Sequence, residues 1–239
     1  MTERQTTLGD LRRDVRAEAD AEDAVNLQRF FKTGPGQYGE GDRFLGLRVP
    51  ALRRLARTYR SLPASDALVL LQSEWHEERL LGLLLLVGLY KRGQATDRQA
   101  IYDAYLGHTR HINNWDLVDA SAEHIVGPHV SLDNLDVLDR LARSPDLWER
   151  RIAMISTFHW IKLGEFAPAL RIANQLVNDR HDLIHKAVGW MLREIGKRDR
   201  AAEERFLRKH YRTMPRTALR YAIEHFPESQ RRRYLDGTA

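Results

Sequence analysis

Apolar positions recur along this chain at the spacing of a helix, in blocks separated by polar or glycine-rich joints. Residues 8–32, ending Val25-Asn26-Leu27-Gln28-Arg29-Phe30-Phe31-Lys32, read as one or two helices. The next ten residues, 33–42, carry four glycines and a proline and cannot continue a helix. That loop runs out through Phe44-Leu45-Gly46-Leu47-Arg48-Val49 to Pro50, which suits the first turn of a helix bearing Leu52, Leu55 and Ala56. The run 80–89 is almost wholly apolar but too short to span a bilayer, so it reads as a buried helix.

Beyond residue 70 the pattern repeats. Ser73-Glu74-Trp75-His76-Glu77-Glu78-Arg79 opens one apolar helix, Asn113-Asn114-Trp115 a second, and the stretch 144–151 a third. Residues 180–186 open a fourth and 213–220 a fifth. The starts Trp75, Trp115, Trp148, Leu183 and Arg216 lie 40, 33, 35 and 33 residues apart. Further helical patterns fill the gaps, at 132–142 and 166–177, and no alternating strand pattern stands out. Two helices per unit at this period predict an all-α fold, an α-solenoid of HEAT-like repeats with a concave basic groove lined by the second helix of each pair. The expected layout is one domain over 1–239. Residues 1–50 supply N-terminal helices and the glycine-rich loop, 51–228 the helical repeats, and 229–239 a basic tail.

Helical phase then sorts the aromatic and charged residues. Asn113 and Asn114 offer an N-cap, so a helix starting near Trp115 places Asp119 one turn above it on the same side. With Val118, Ala122 and Ile125 as that helix's core stripe, Trp115 sits at the border and Asp119 just beyond, with Glu123 a turn further on. Trp148 falls toward Ile152 and Ile155 and reads as core. Trp190 instead points away from Ile184, Ala187, Val188, Met191 and Ile195, beside Lys186, Arg193 and Lys197, and is a candidate nucleic-acid or sugar contact. Packing by a neighbouring helix is the competing reading. Arg151 heads an otherwise apolar helix and must reach a groove or pair with a carboxylate such as Asp119 or Glu149. The repeat register matches it to Lys186, so the two cations could follow one phosphate backbone.

Composition narrows the partners. The chain carries a net charge of +5, and of its 38 cations only Lys32, Lys91, Lys162, Lys186, Lys197 and Lys209 are lysine. Arginine forks suit phosphate oxygens, and a basic balance favours a polyanion. An arginine-rich genome with ordinary ion-paired helix faces would give the same count. With no cysteine there is no thiolate metal site, and the histidines form no metal motif. No phosphate-binding glycine loop, dinucleotide turn or nucleophile elbow is present, so neither cofactor nor metal is expected. The N-terminus is unlike a signal peptide, and a cytoplasmic location is expected.

Taken in order, Arg29-Phe30-Phe31-Lys32, the Gly-Pro-Gly-Gln-Tyr-Gly-Glu-Gly-Asp loop, Phe-Leu-Gly-Leu-Arg-Val-Pro, Asn114-Trp115-Asp116-Leu117-Val118-Asp119, Leu147-Trp148-Glu149-Arg150-Arg151 and Lys186-Ala187-Val188-Gly189-Trp190-Met191-Leu192-Arg193-Glu194 resemble the AlkD-like DNA alkylation repair family, bacterial DNA glycosylases built from HEAT-like repeats. The match covers about residues 26–197. Each motif alone is weak; the ordered set is strong. The resemblance implies excision of N3- and N7-alkylated purines from duplex DNA by a monomer, without the base flipping most glycosylases use. It puts the catalytic carboxylate at Asp119, the sugar-contacting indoles at Trp115 and Trp190, and the groove arginine at Arg151. Lys186, Arg193 and Phe30 join them as DNA contacts. Phe30 stands where the best-known enzyme of the family has tyrosine, keeping the aromatic face and losing the hydroxyl. Two other functions fit a helical array: a non-catalytic binder of damaged or branched DNA, which gains nothing from a carboxylate near phosphates, and a protein–protein adaptor, for which a basic groove is unusual.

Overall fold

A computed structural model of the protein describes residues 6–239. Regular structure among them is helical; pairing of the strand type is confined to the single bridges Arg43–Trp75 and Ser131–Asn134. Backbone contacts group the chain into two compact units, Met1–Ser121 and Ala122–Ala239. No helix among the described residues is long and apolar enough to cross a membrane.

The first unit runs α1 (Leu8–Ala17), α2 (Ala21–Phe30), α3 (Val49–Thr58), α4 (Ala64–Leu71), α5 (His76–Arg92), α6 (Ala95–Gly107) and α7 (Trp115–Asp119). Local chemistry sets its starts. Thr7 and Asp10 close a capping box on α1, Asp20 caps α2, and Pro50 lies in the first turn of α3. α5 contains the apolar run 80–89 and is buried nearly all round, because α3, α4 and α6 all pack on it. Leu52, Leu70, Leu81, Leu86 and Tyr105 form the centre of this core.

The second unit runs α8 (Ala122–His129), α9 (Asp136–Ala142), α10 (Leu147–Ser156), α11 (Phe158–Lys162), α12 (Ala167–Leu176), α13 (Asp182–Gly196), α14 (Arg200–His210), α15 (Arg216–Ala222) and α16 (Glu228–Asp236). α8 and α9 pack on α10, α10 and α12 on α13, and α14 and α15 on α13 as well. The five expected repeat starts all fall within a residue of a helix start. α9 begins later than its apolar pattern, because the Asn134 side chain accepts from Asp136 N and residues 131–134 close a turn. The segment 229–239 is mostly α16, and Tyr234 packs edge-on to Tyr211 and Phe226.

One expectation fails. The helix starting at Trp115 was expected to run on through Glu123 and Ile125, but α7 stops at Asp119 and α8 begins at Ala122. The Ser121 hydroxyl takes the Leu117 carbonyl at 2.6 Å, and the Ser121 amide donates to Val118 in a tightened turn. The stripe Val118, Ala122 and Ile125 is nonetheless fully buried. Glu123 is no neighbour of Asp119 along one helix; it belongs to α8, where Lys162 and His124 hold its carboxylate.

Close helix packing relies on glycine at comparable places. A Cβ on Gly82 of α5 would overlap the Ala67 carbonyl of α4, and one on Gly127 of α8 the Ser156 carbonyl of α10. On Gly189 of α13 it would strike the Ala218 carbonyl of α15, a backbone atom that cannot swing aside. Gly189→Ala should therefore destabilise the fold by about 1–3 kcal/mol, read from denaturant unfolding.

Glu203 of α14 is fully buried against Gly196, with Oε1 lacking any partner. Burial, helped by Glu204 and opposed by Arg200, pushes its carboxyl up from 4.5 to about 8, so it is a neutral acid at pH 7. The folded state then keeps a proton that the unfolded chain releases near pH 4.5, and stability must fall as pH rises from there through about 8. Thermal melts of Glu203→Gln should lack most of that decline, and the variant should melt above wild type at pH 8.

Candidate functional site

α7 is where the sequence concentrates its candidate chemistry, and Asn114 starts it. The Asn114 side chain is completely buried and accepts from Trp115 N at 2.9 Å. Trp115 is the first residue of α7 and Asp119 the fifth, and both side chains are half-buried. Trp115 lies 5.2 Å from Phe31 in a near-parallel stack, and Phe30 meets it edge-on at 5.9 Å. Phe30 is the most exposed large apolar ring of this cluster, 62% accessible, so α2 ends in an aromatic face open to solvent.

Behind these rings lies an arrangement the sequence reading passed over. His76, 2% accessible, starts α5. Its Nδ1 is 2.7 Å from Asp42 at the end of the glycine-rich loop, and its Nε2 is 2.8 Å from Asp116 of α7. Arg79 also bonds Asp42, and the Asn114 amide reaches it at 3.4 Å. Burial alone would drive the imidazole toward neutrality, but the charge and hydrogen bond of Asp116, then those of Asp42, outweigh it and raise His76 to about 9. Burial likewise raises Asp42, and His76 and Arg79 overturn this to hold it below 3.8. His76 is thus an imidazolium at neutral pH, clamped between two carboxylates.

The loop is fastened to the same helix start. The Glu77 carboxylate accepts from the backbone amides of Leu45, Gly46 and Leu47 at 2.8–3.2 Å. Gly46 has φ of +92°, and a Cβ there would collide with the Asp20 carbonyl. Phe44 stacks on His76 at 4.5 Å and on Phe31 at 5.0 Å, and Phe31 lies 4.8 Å from His76, so the three rings form one cluster that Trp115 joins through Phe31. A cavity of about 350 Å³ adjoins this cluster, lined among others by Leu27, Phe30, Phe44, Leu52, Trp115 and Asp116. The visible signal was the run His76-Glu77-Glu78-Arg79. Four polar residues heading an apolar helix must find partners once buried.

The second unit holds the remaining candidates. Arg151 is the fifth residue of α10 and Lys186 the fifth of α13, as the repeat register implied. Arg151 is buried, with Nη1 donating to the Leu183 carbonyl at 2.6 Å. Lys186, half-buried, pairs with Asp182 at 2.8 Å. Trp190 is half-buried rather than projecting, its ring 5.7 Å from Phe158. Arg193 is bonded to Glu224, and Lys197 to Glu194. Trp148 is buried, as its helical phase predicted. Among the described residues no group of histidines and carboxylates is arranged to hold a metal ion.

Comparison with known proteins places these features in a family. A structure described as a predicted DNA alkylation repair enzyme from Enterococcus faecalis shares the fold with a TM-score of 0.67 at 17% identity, covering 88% of this chain and 97% of that one. AlkD2 from Streptococcus mutans matches with a TM-score of 0.57 at 18% identity, over 91% of this chain and 99% of its own. The protein smu.31 from Streptococcus mutans UA159 gives 0.57 at 17% identity, over 91% and 98%. A search of curated proteins finds no match. The sequence model of the DNA alkylation repair enzymes matches residues 11–226, nearly the whole chain, and the protein belongs to that family.

Proposed function

We propose that the protein is a monofunctional alkylpurine DNA glycosylase that removes N3- and N7-alkylated purines from duplex DNA. The observation that carries the reading is the pair on α7: an indole and a carboxylate one turn apart, at the capped start of a short helix, in a member of a DNA alkylation repair family. A purine alkylated at N7 or N3 already bears a positive charge and departs as a neutral base, so acid catalysis has little to add. Charge develops instead on the deoxyribose, as an oxocarbenium ion. A carboxylate at Asp119 and the face of Trp115 stabilise that cation more than the ground state, and Asp119 is also suited to align the attacking water. This chemistry acts on the sugar and needs no extrusion of the base into a pocket.

Trp190 takes the role of the second sugar-contacting indole. Phe30 and Lys186 are DNA contacts, one through its open ring and the other through its charge. Arg151 and Arg193 are assigned to the DNA backbone as well, although each already serves a partner within its own unit, Leu183 and Glu224. Lys186 likewise pairs with Asp182, so contact with phosphate at each of the three cations competes with an existing bond. A cytoplasmic monomer acting without a cofactor completes the reading.

Incubation with methylated duplex DNA tests it. Wild type should release 7-methylguanine and 3-methyladenine, Asp119→Asn should be slower by about a hundredfold with DNA affinity nearly kept, and Trp115→Ala should also lose rate. Tight binding with no release by wild type would replace the enzyme with a damaged-DNA binder. Lys186→Ala should lower the slope of log affinity against log salt by about one, measured by fluorescence anisotropy.

A further inference from the structure

We propose that His76, bridging Asp42 and Asp116, is a positioning residue: it fixes α7 and thereby the direction in which Trp115 and Asp119 are presented. The link to catalysis rests on the glycosylase reading; the mechanical part does not.

Leu117 and Val118 bury one side of α7 and Trp115 stacks on Phe31, but the polar side of its first turn depends on His76. At five residues α7 is far below the length at which a helix sustains itself. One flank faces the cavity of about 350 Å³, which Trp115 and Asp116 help to line. Asp116 Oδ1 is buried without any hydrogen-bond partner, so this carboxylate rests on the single bond from His76 Nε2. The other imidazole nitrogen holds Asp42, which also receives the amide of Asn114, the N-cap of α7. Both ends of the bridge therefore terminate on the start of the same helix. Only a doubly protonated ring donates in both directions at once. A neutral ring can serve one carboxylate and must turn a lone pair on the other.

The groups around His76 explain why the charged form persists. Asp42 faces it from the loop and Asp116 from α7, while Arg79 and Glu77 come from its own helix and Phe31 and Phe44 supply rings. With a folded value of about 9 against 6.5 unfolded, the bridge contributes its full stability below pH 6.5 and loses it as pH rises through about 9. Movement of α7 then passes directly to Trp115, the residue next to Asp116.

Two measurements test this together. In protein labelled with 5-fluorotryptophan, the ¹⁹F signal of Trp115, assigned by its loss in Trp115→Phe, should titrate near pH 9 and cease to do so in His76→Gln. In single-turnover excision, the wild-type rate should be level to about pH 8.5 and fall above it. Asp116→Asn removes one carboxylate from the imidazolium and should move that alkaline limb down by at least about one pH unit. His76→Gln should abolish the limb and lower the rate about tenfold at pH 7, with DNA affinity within about twofold. A Trp115 signal that ignores pH between 7 and 10, or a limb that stays in place in Asp116→Asn, overturns the proposal. A titrating Trp115 signal in a protein that releases no base upholds the positioning role and defeats the glycosylase reading instead.

Discussion

One buried imidazolium shared by two carboxylates, Asp42 buried and Asp116 half-buried, is the constraint on which the first unit's candidate site depends. Moving three charges out of water is expensive, and such an arrangement persists only where each charge meets its partners at hydrogen-bonding distance. His76 meets that condition at 2.7 and 2.8 Å, and Arg79 supplies a second positive charge to Asp42. Apolar side chains of the same volume would fill this space at less desolvation cost, but they would not dictate direction. A bridge between a loop, the start of α5 and the start of α7 ties three segments distant in sequence to one geometry. The benefit of a charged core here is specification more than stability.

That constraint also gives the glycine-rich loop a purpose. Its glycines let the chain turn tightly enough to bring Asp42 under α7, and Glu77 takes the loop exit by three backbone amides. The positive φ of Gly46 and its approach to the Asp20 carbonyl bind the same segment to the start of α2, whose other end carries Phe30 and Phe31. The loop that looked from composition like a mere helix breaker is the strap that places both the aromatic cluster and the charges around His76.

Much of this was legible in the residues. Helix starts followed from caps and apolar period, because Asn114 and Pro50 act locally and their signals are written within a turn of the place they act. The burial of Trp148 followed from helical phase for the same reason. What escaped was long-range pairing. Nothing near His76 in sequence announces Asp42, 34 residues earlier, or Asp116, 40 residues later. The break between α7 and α8 escaped too, since a serine hydroxyl turning back on a carbonyl leaves the apolar stripe Val118, Ala122 and Ile125 intact while interrupting the backbone ladder. The half-buried state of Trp190 depends on Phe158, a residue from another helix that phase within α13 cannot reveal.

The protonation states bear on the chemistry proposed. His76 is the titratable ring beside Trp115's helix, yet with both nitrogens committed and its proton held to about pH 9 it is unsuited to give a proton to a departing base near neutrality. For an ordinary purine nucleoside this would be a serious deficiency, because the leaving base must be neutralised. For a purine already carrying an alkyl group the positive charge precedes the reaction, and the demand falls entirely on the sugar. A short helix bearing a carboxylate and an indole, immobilised by a charge that never enters the reaction, suits that demand. On the proposed reading, His76 gives no help to a base that cannot leave without a proton, which favours lesions that already carry a positive charge.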